Sequence, residues 1–460
     1  MSHPDVAAVV LAAGKGTRFR SDTAKVLHRA AGRSLLGHVL AAVQPLGLGQ
    51  VVVVVGHQGD EVAAEAARAG IDGLSTVTQH EQLGTGHATE VAMPALADGI
   101  RRVLVLPGDT PLLTSDTLAA LLDAAAGADA AMLTTVLDDP TGYGRVLRDD
   151  AGDVAAIVEH RDATEAQRAV DEVNAGMYAF DREQLATALG RVGDDNAQGE
   201  RYLTDVVALL RGDGRRVVAT VADEAEVAGV NDRVQLADAA AVRRRRHLEE
   251  LMRAGVTVVD PVSTHVDVDV VVGVDTVLLP NTVLEGGTVV GAGCEVGPSS
   301  RLVGCTVADG ATVTFSVATD AWIGPGASVG PFAHLRPGTR LADDTKVGAF
   351  AETKNATLGR GSKVPHLAYV GDATIGEGVN LSCGVITVNY DGTTKSHTTV
   401  EDGAFVGCDT SLVAPVTVGA GAYVAAGSVV TDDVPADALA IARSRQVVKE
   451  GWAARRRAQG

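Results

Sequence analysis

Over residues 323–347 an aliphatic side chain returns every sixth residue, at Ile323, Val329, Leu335, Leu341 and Val347, mostly followed by a small residue, Pro or Gly. The same beat runs later through Val400, Val406, Leu412, Val418, Val424 and Val430. At about 3.6 residues per turn, marks six apart wander around a helix and leave no single apolar face. A short strand with its turn, repeated so that each copy places one aliphatic residue inward, does fit, because stacked units bury a continuous core. The pattern predicts a parallel β-helix of hexapeptide units. It begins raggedly near Val270, slips before Val307, and breaks at 387–399, a polar stretch that should leave the coil as a loop.

The first half is patterned differently. Residues 5–12 are a continuous apolar run ending in a Gly-rich loop, the profile of a buried parallel strand entering an anion-facing turn. Strand-like runs follow at 51–56, 103–109 and 130–137, separated by Ala-rich helical stretches at 62–69 and 117–126. This alternation predicts a doubly wound α/β domain closing near Gly229-Val230-Asn231. Residues 233–253 carry Ala, Leu, Arg and Glu without Gly or Pro, and Gly255 follows as a C-cap, so a linking helix is expected. Its run Arg243 to Arg246 reads as a solvated face, and the basic end of the chain, Arg455 to Arg457, as frayed. The expected domains are 1–232, a linker at 233–255, a β-helix at 256–445 and a tail at 446–460.

Composition narrows the function. At 460 residues more than one domain is needed. Only 3% of residues are aromatic, which a core built of aliphatic columns tolerates. The net charge of -19 argues against nucleic acid as a partner, so anionic substrates require local Lys, Arg or metal. Cys294, Cys305, Cys383 and Cys408 show no C-x-x-C spacing, the usage of a reducing compartment. Lys15 and Arg18 interrupt the one early apolar run, and no segment approaches the roughly 18 apolar residues of a membrane span. A cytoplasmic protein is expected.

The loop Leu11-Ala12-Ala13-Gly14-Lys15-Gly16-Thr17-Arg18 matches neither a P-loop nor a dinucleotide fingerprint, whose third glycine is replaced by Phe19. What remains is backbone amides open to an anion, with Lys15, Arg18 and Lys25 nearby; a purely structural turn is the plain alternative. Followed by Lys25-Val26-Leu27-His28, however, the loop resembles the signature of sugar-phosphate nucleotidyltransferases. The motifs around Gln79 to Ala88, Pro107-Gly108-Asp109, Thr141 to Gly144, Glu159-His160, Asn174-Ala175-Gly176 and Gly229-Val230-Asn231 recur in order as in one branch. That branch is the bacterial bifunctional N-acetylglucosamine-1-phosphate uridyltransferases and glucosamine-1-phosphate acetyltransferases. The resemblance covers almost the whole chain, and it alone implies a left-handed β-helix.

The resemblance implies that Leu11, Ala12, Ala13, Gly14, Gln79, Gly84 and Thr85 hold the uridine nucleotide of UTP, with Arg18 and Lys25 as the catalytic cations. Gly144, Glu159 and Asn174 would hold the sugar, and Asp109 with Asn231 a Mg²⁺ ion. Asp109 is otherwise a strand-end turn residue and Asn231 a helix cap. Within the repeats, His366 would be the general base toward the amine of glucosamine 1-phosphate, as suits an imidazole. Arg336, Lys354, Tyr369, Asn380 and Lys395 would bind that substrate, and Cys383, Asn389, Tyr390, Cys408, Ala426 and Arg443 acetyl-CoA. Four positions depart from the family: Ala24 where Pro is usual, His334 where Arg is common, Cys408 where Ser is usual, and Cys383 in what is often a Gly-Ala-Gly run. Both Cys383 and Cys408 read as small residues lining the pocket, not as nucleophiles. The resemblance further implies a homotrimer with acetyl-transfer sites between subunits. Two other readings stand beside it: a single-activity nucleotidyltransferase with an assembling β-helix, and a noncatalytic interaction protein that has kept both folds.

Overall fold

A computed structural model describes residues 2–196 and 199–459, which form two compact units, Met1–Arg243 and Arg244–Gly460. In the first unit, strands β1 (His3–Leu11), β2 (Leu48–Val55), β3 (Leu74–Thr78), β4 (Arg102–Pro107), β5 (Ala130–Val136), β6 (Glu172–Asp181) and β7 (Val217–Val221) form the main sheet. Their order is β7-β5-β6-β4-β1-β2-β3, with β6 antiparallel to both neighbours and the other pairs parallel.

The apolar run of β1 sits at the centre because both its faces are covered. Val6, Ala8 and Val10 enter one core cluster while Ala7 and Val9 enter another, and Val9 lies between Val52 and Val105. Helices α1 (Leu35–Val43), α2 (Thr85–Ala92) and α3 (Ser115–Ala125) flank the sheet. Ser34 caps α1 by accepting from the Gly37 amide, and Thr114 caps α3 by accepting from Thr117. An antiparallel hairpin, Arg145–Arg148 with Val154–Val158, joins the sheet where Arg145 faces Val173.

Helix α4 (Arg233–Arg253) ends where Gly255 adopts φ +98°. The expectation of a fully solvated arginine run needs correction: Arg245 is exposed and pairs with Glu249 at 3.1 Å, whereas Arg243, Arg244 and Arg246 are half-buried. Among the described residues no helix is long and apolar enough to cross a membrane.

The second unit is a prism of stacked coils in which strands of two to seven residues pair in parallel with the next coil. The six-residue beat maps onto inward columns. Leu278, Val296, Val313, Val329, Val347 and Val364 lie directly above one another, all at 2% exposure or less. The slips also resolve. Ala318 is a buried mark hidden by its small size, and Thr353 and Thr387 take inward places between aliphatic neighbours. Each threonine hydroxyl is satisfied, Thr353 by Thr339 at 3.0 Å and Thr387 by the Gly371 amide at 2.7 Å.

The coils begin ahead of the first legible repeats near Val270, with Thr257–Val258 pairing with Val277–Leu278; the eight-residue step from Val258 to Val266 blurs the beat there. One expectation, at the other end, changes. The basic end is not frayed but forms a short helix, Trp452–Arg457, after Gly451 turns the chain at φ +68°. Ala and Arg are good helix formers, which favours this turn despite its full exposure.

Because each coil is held mainly by its neighbours, an inward mark near the middle should matter strongly. Leu335→Ala is expected to cost about 2–5 kcal/mol, read as a shift in the chemical denaturation of the second unit; a shift below about 1 kcal/mol would contradict the column as the core.

Candidate functional sites

At the carboxyl ends of β1 and β4 and the amino-terminal half of the antiparallel β6 the first unit opens a cleft of about 560 Å³. Leu11, Ala12, Ala13, Gly14, Lys25, Gln79, Gly84, Thr85, Asp109, Asn174 and Asn231 all line it. Lys25 reaches this wall because Gly16, at φ +60°, lacks a Cβ that would stand 2.6 Å from the Lys25 Cβ. Its ammonium forms an ion pair with Asp109 Oδ2 and lies 3.4 Å from Asn231 Oδ1. Arg18 donates to the same Asn231 oxygen at 2.9 Å but does not line the cleft. Ala24 keeps the conformation that Pro would impose, φ -54° and ψ 137°, and its amide, which Pro lacks, donates to Gln58 Oε1. The departure at this position is therefore compensated locally.

On the opposite wall, Gly84 is needed for close packing: at φ +103° its Cβ would stand 2.6 Å from the Arg201 carbonyl. Buried Gln79 donates to the Gly84 carbonyl at 3.2 Å, and Thr85 opens α2, its hydroxyl accepting from the Leu203 amide at 3.1 Å. Asn174 donates to the Tyr178 hydroxyl at 2.7 Å, and burial pushes that phenol well above its ordinary pKa, so it stays neutral. Tyr178 was not foreseen, because the irregularity of β6 between Asn174 and Tyr178 that aligns them leaves no periodic mark. Gln82, Tyr143 and Glu200 also line the cleft; the first two lie inside recognised motifs, while Glu200 lies in none.

Gly144 and Glu159 do not line the cleft, but they adjoin Tyr143, which does, and a Cβ on Gly144 would stand 3.2 Å from Glu159 Oε1. Burial raises the Glu159 carboxyl, helped by the charges of Asp162 and Asp205.

The second unit gathers its polar residues by coil stacking. Arg336 and Lys354 fall on adjacent coils, with Gly371 beneath Lys354. The bare Gly371 leaves room for the Tyr369 ring, whose hydroxyl would lie 2.4 Å from a Cβ there. A hydrogen-bond contact with Lys395, followed by the charges of Lys395 and Arg336, depresses the Lys354 pKa; Asp372 opposes the shift. Arg336 donates to Glu352 at 2.8 Å. Asp372 in turn accepts from Asn355 and Asn389; although burial opposes it, these bonds and the lysines hold its carboxyl below the usual range.

The break in the beat is a tight hairpin. Tyr390 pairs with Lys395, and Asp391 Oδ1 caps the turn by accepting from the amides of Thr393 at 2.8 Å and Thr394 at 2.7 Å. His366 is exposed at a corner of the prism. Backbone bonds from Gly384 to the His366 carbonyl, Asp409 to Cys383 and Gly427 to Cys408 stack His366, Cys383, Cys408 and Ala426 in one column. Arg443 reaches its far end, its Cδ 3.6 Å from where a Gly427 Cβ would stand. Asn380 is the residue not gathered: it lies on the other sheet, between Lys363 and Phe405, and donates to Ser382. His334 is exposed, one coil above Glu352.

The sequence profile of the MobA-like NTP transferase domain matches residues 8–174. Over 98% of its length the chain is 55% identical to the "Bifunctional protein GlmU" of Mycolicibacterium gilvum and 52% identical to that of Heliobacterium modesticaldum, covering 92% and 98% of those proteins. The protein of the same name from Streptomyces avermitilis is 54% identical, with 98% of this chain and 94% of that one covered. With one unit built around a cation-lined cleft and the other around stacked coils, and with this similarity running through both, the chain belongs to the bifunctional GlmU family, the uridyltransferase and acetyltransferase enzymes of UDP-N-acetylglucosamine synthesis.

Proposed function

We propose that the cleft of the first unit performs uridyl transfer and that the polar surface of the prism performs acetyl transfer, each with the residues described above. The observation that carries this reading is the concentration of cations at two places in an otherwise acidic chain: Lys25 and Arg18 at Asp109 and Asn231, and Arg336 with Lys354 and Lys395. Both half-reactions handle sugar phosphates, and each place answers that demand.

In the prism, His366 takes the proton as the amine of glucosamine 1-phosphate attacks the acetyl-CoA thioester carbonyl and the CoA thiolate leaves. Arg336, Lys354 and Lys395 hold the phosphate, Tyr369 the sugar, and Asn389, Tyr390 and the column from Cys383 to Ala426, with Arg443, the acetyl-CoA. In the cleft, the product's phosphate oxygen attacks the α-phosphorus of UTP and pyrophosphate departs. Leu11 to Gly14, Gln79, Gly84 and Thr85 seat the nucleotide, while Gly144, Glu159 and Asn174 orient the sugar.

Asp109 and Asn231 fit a divalent cation, because their oxygens already face one common positive group, the Lys25 ammonium. Bound there, Mg²⁺ supplies positive charge to the phosphates. Lys25 and Arg18 then bear on the phosphates instead of on these oxygens.

Asn380 and the Arg336–Lys354 pair occupy different faces of one prism, so a shared sugar phosphate calls for a second copy. Phe315, Phe332 and Phe350 form an exposed ladder, its first pair of rings tilted and its second stacked, at the corner continued by Leu367, next to His366. This apolar surface supports the homotrimer. Acting on UTP and acetyl-CoA, the enzyme would work in the cytoplasm.

Asp109→Ala should abolish pyrophosphate release while CoA-thiol release continues, and His366→Ala should lower CoA-thiol release by about 10²–10⁴-fold while pyrophosphate release continues. Loss of both half-reactions from either folded variant would refute the separation of sites. The depressed Lys354 pKa predicts that KM for glucosamine 1-phosphate begins to rise below the ordinary lysine value as pH increases. In Lys354→Arg, whose guanidinium does not titrate, that component of the rise should vanish; an unchanged profile would remove Lys354 from phosphate binding. The double substitution Phe332→Ser, Phe350→Ser should convert a trimer into smaller species in sedimentation velocity, with acetyl transfer falling alongside. An unaltered sedimentation coefficient would move the interface elsewhere.

A further inference from the structure

We propose that Cys383 and Cys408 form an oxidisable dithiol whose disulfide shuts off acetyl transfer. The cysteines stand in register on adjacent coils: Leu381 pairs with Val406, and the Asp409 amide donates to the Cys383 carbonyl at 2.8 Å. Parallel neighbours in register lie about 4.8 Å apart, inside the roughly 4.4–6.8 Å Cα separation that a disulfide requires. The backbone turns alike after each, with Gly384 and Asp409 both left-handed at φ +75° and +54°.

Access separates this pair from the other two cysteines. Cys408 is exposed and Cys383 half-buried, whereas Cys294 and Cys305 are buried. The buried thiols donate to backbone carbonyls, Cys294 to Ala308 at 3.1 Å and Cys305 to Val303 at 3.4 Å, and burial pushes both pKa values up. Reagent access, which cysteine reactivity requires, therefore favours the stacked pair.

The chemistry requires a low-molecular-weight disulfide as oxidant. The exposed Cys408 thiolate attacks one sulfur of that disulfide, forming a mixed disulfide and releasing one small thiolate. The Cys383 thiolate then attacks Cys408 Sγ, forming the Cys383–Cys408 bond and expelling the second small thiolate. Both cysteine protons end on the two released thiols, and excess small thiol reverses the sequence. The column continues from His366 on one side to Ala426 on the other, so the cross-link changes the surface beside the general base. Its effect on acetyl transfer rests on the reading of this column as the acetyl-CoA site.

The full-length protein treated with oxidised glutathione tests both steps. Trypsin cleavage after Lys395 separates the two cysteines, so a cross-link joins two peptides otherwise apart, and the intact mass falls by two hydrogens with no glutathione retained. CoA-thiol release should fall on the order of a hundredfold, as for other small displacements at a reacting site. Uridyl transfer should not change, dithiothreitol should restore the loss, and acetyl-CoA should slow the cross-link. In Cys408→Ser the joined peptide should be absent. Stable glutathione adducts without a cross-link, or thiols that do not react, would overturn the dithiol. A cross-link with undiminished CoA release would overturn the switch and the acetyl-CoA reading of the column, a result distinct from failure of the cross-link itself.

Discussion

Direct stacking of one coil on the next is the constraint on which the second unit depends. An inward valine or leucine is buried only if the coils above and below present aliphatic residues at the same place, as along the column Leu278, Val296, Val313, Val329. Once that column is set, the outward residues lose their freedom too. Arg336 must lie beside Lys354, and His366 beside Cys383, whatever their separation along the chain. The hydrophobic requirement inside thus becomes a positioning device outside, rigid because any shift would open the core.

In the first unit the corresponding device is the central strand. Buried on both faces, β1 cannot slide, and its carboxyl end delivers residues 11–14 to the cleft edge while β4 leads to Asp109. The loop residues are then tuned by close approach: Gly16 admits Lys25 and Gly84 admits the Arg201 backbone. These glycines serve contact within the protein, whereas a Cβ on Gly14 would meet no protein atom within 4 Å, which leaves that side of the loop open to a ligand.

Charge is distributed in the opposite sense to the overall composition. A chain with net charge -19 repels sugar phosphates at long range, so binding relies on short-range groupings. The cost of grouping cations is visible at Lys354, whose pKa is depressed by Lys395 and Arg336. At Asp109 the same problem is solved differently: the carboxylate neutralises Lys25 in a direct ion pair.

The two architectures and most of the cleft lining are legible along the chain. A period of six cannot be a helix, a doubly apolar run before a glycine loop is a buried strand, and ordered motifs identify the chemistry, because each of these signals is local. Ala318 escaped the beat because it is small, and Thr353 and Thr387 because a threonine can occupy an inward place when its hydroxyl finds a partner. Tyr178 behind Asn174, the Gln58 bond to Ala24, and the column joining His366 to Cys383 and Cys408 were decided by tertiary structure alone. Such neighbours depend on strand irregularities and on coil lengths that vary from turn to turn, and a hairpin inserted at Tyr390 to Lys395 changes which residues meet without altering the pattern on either side.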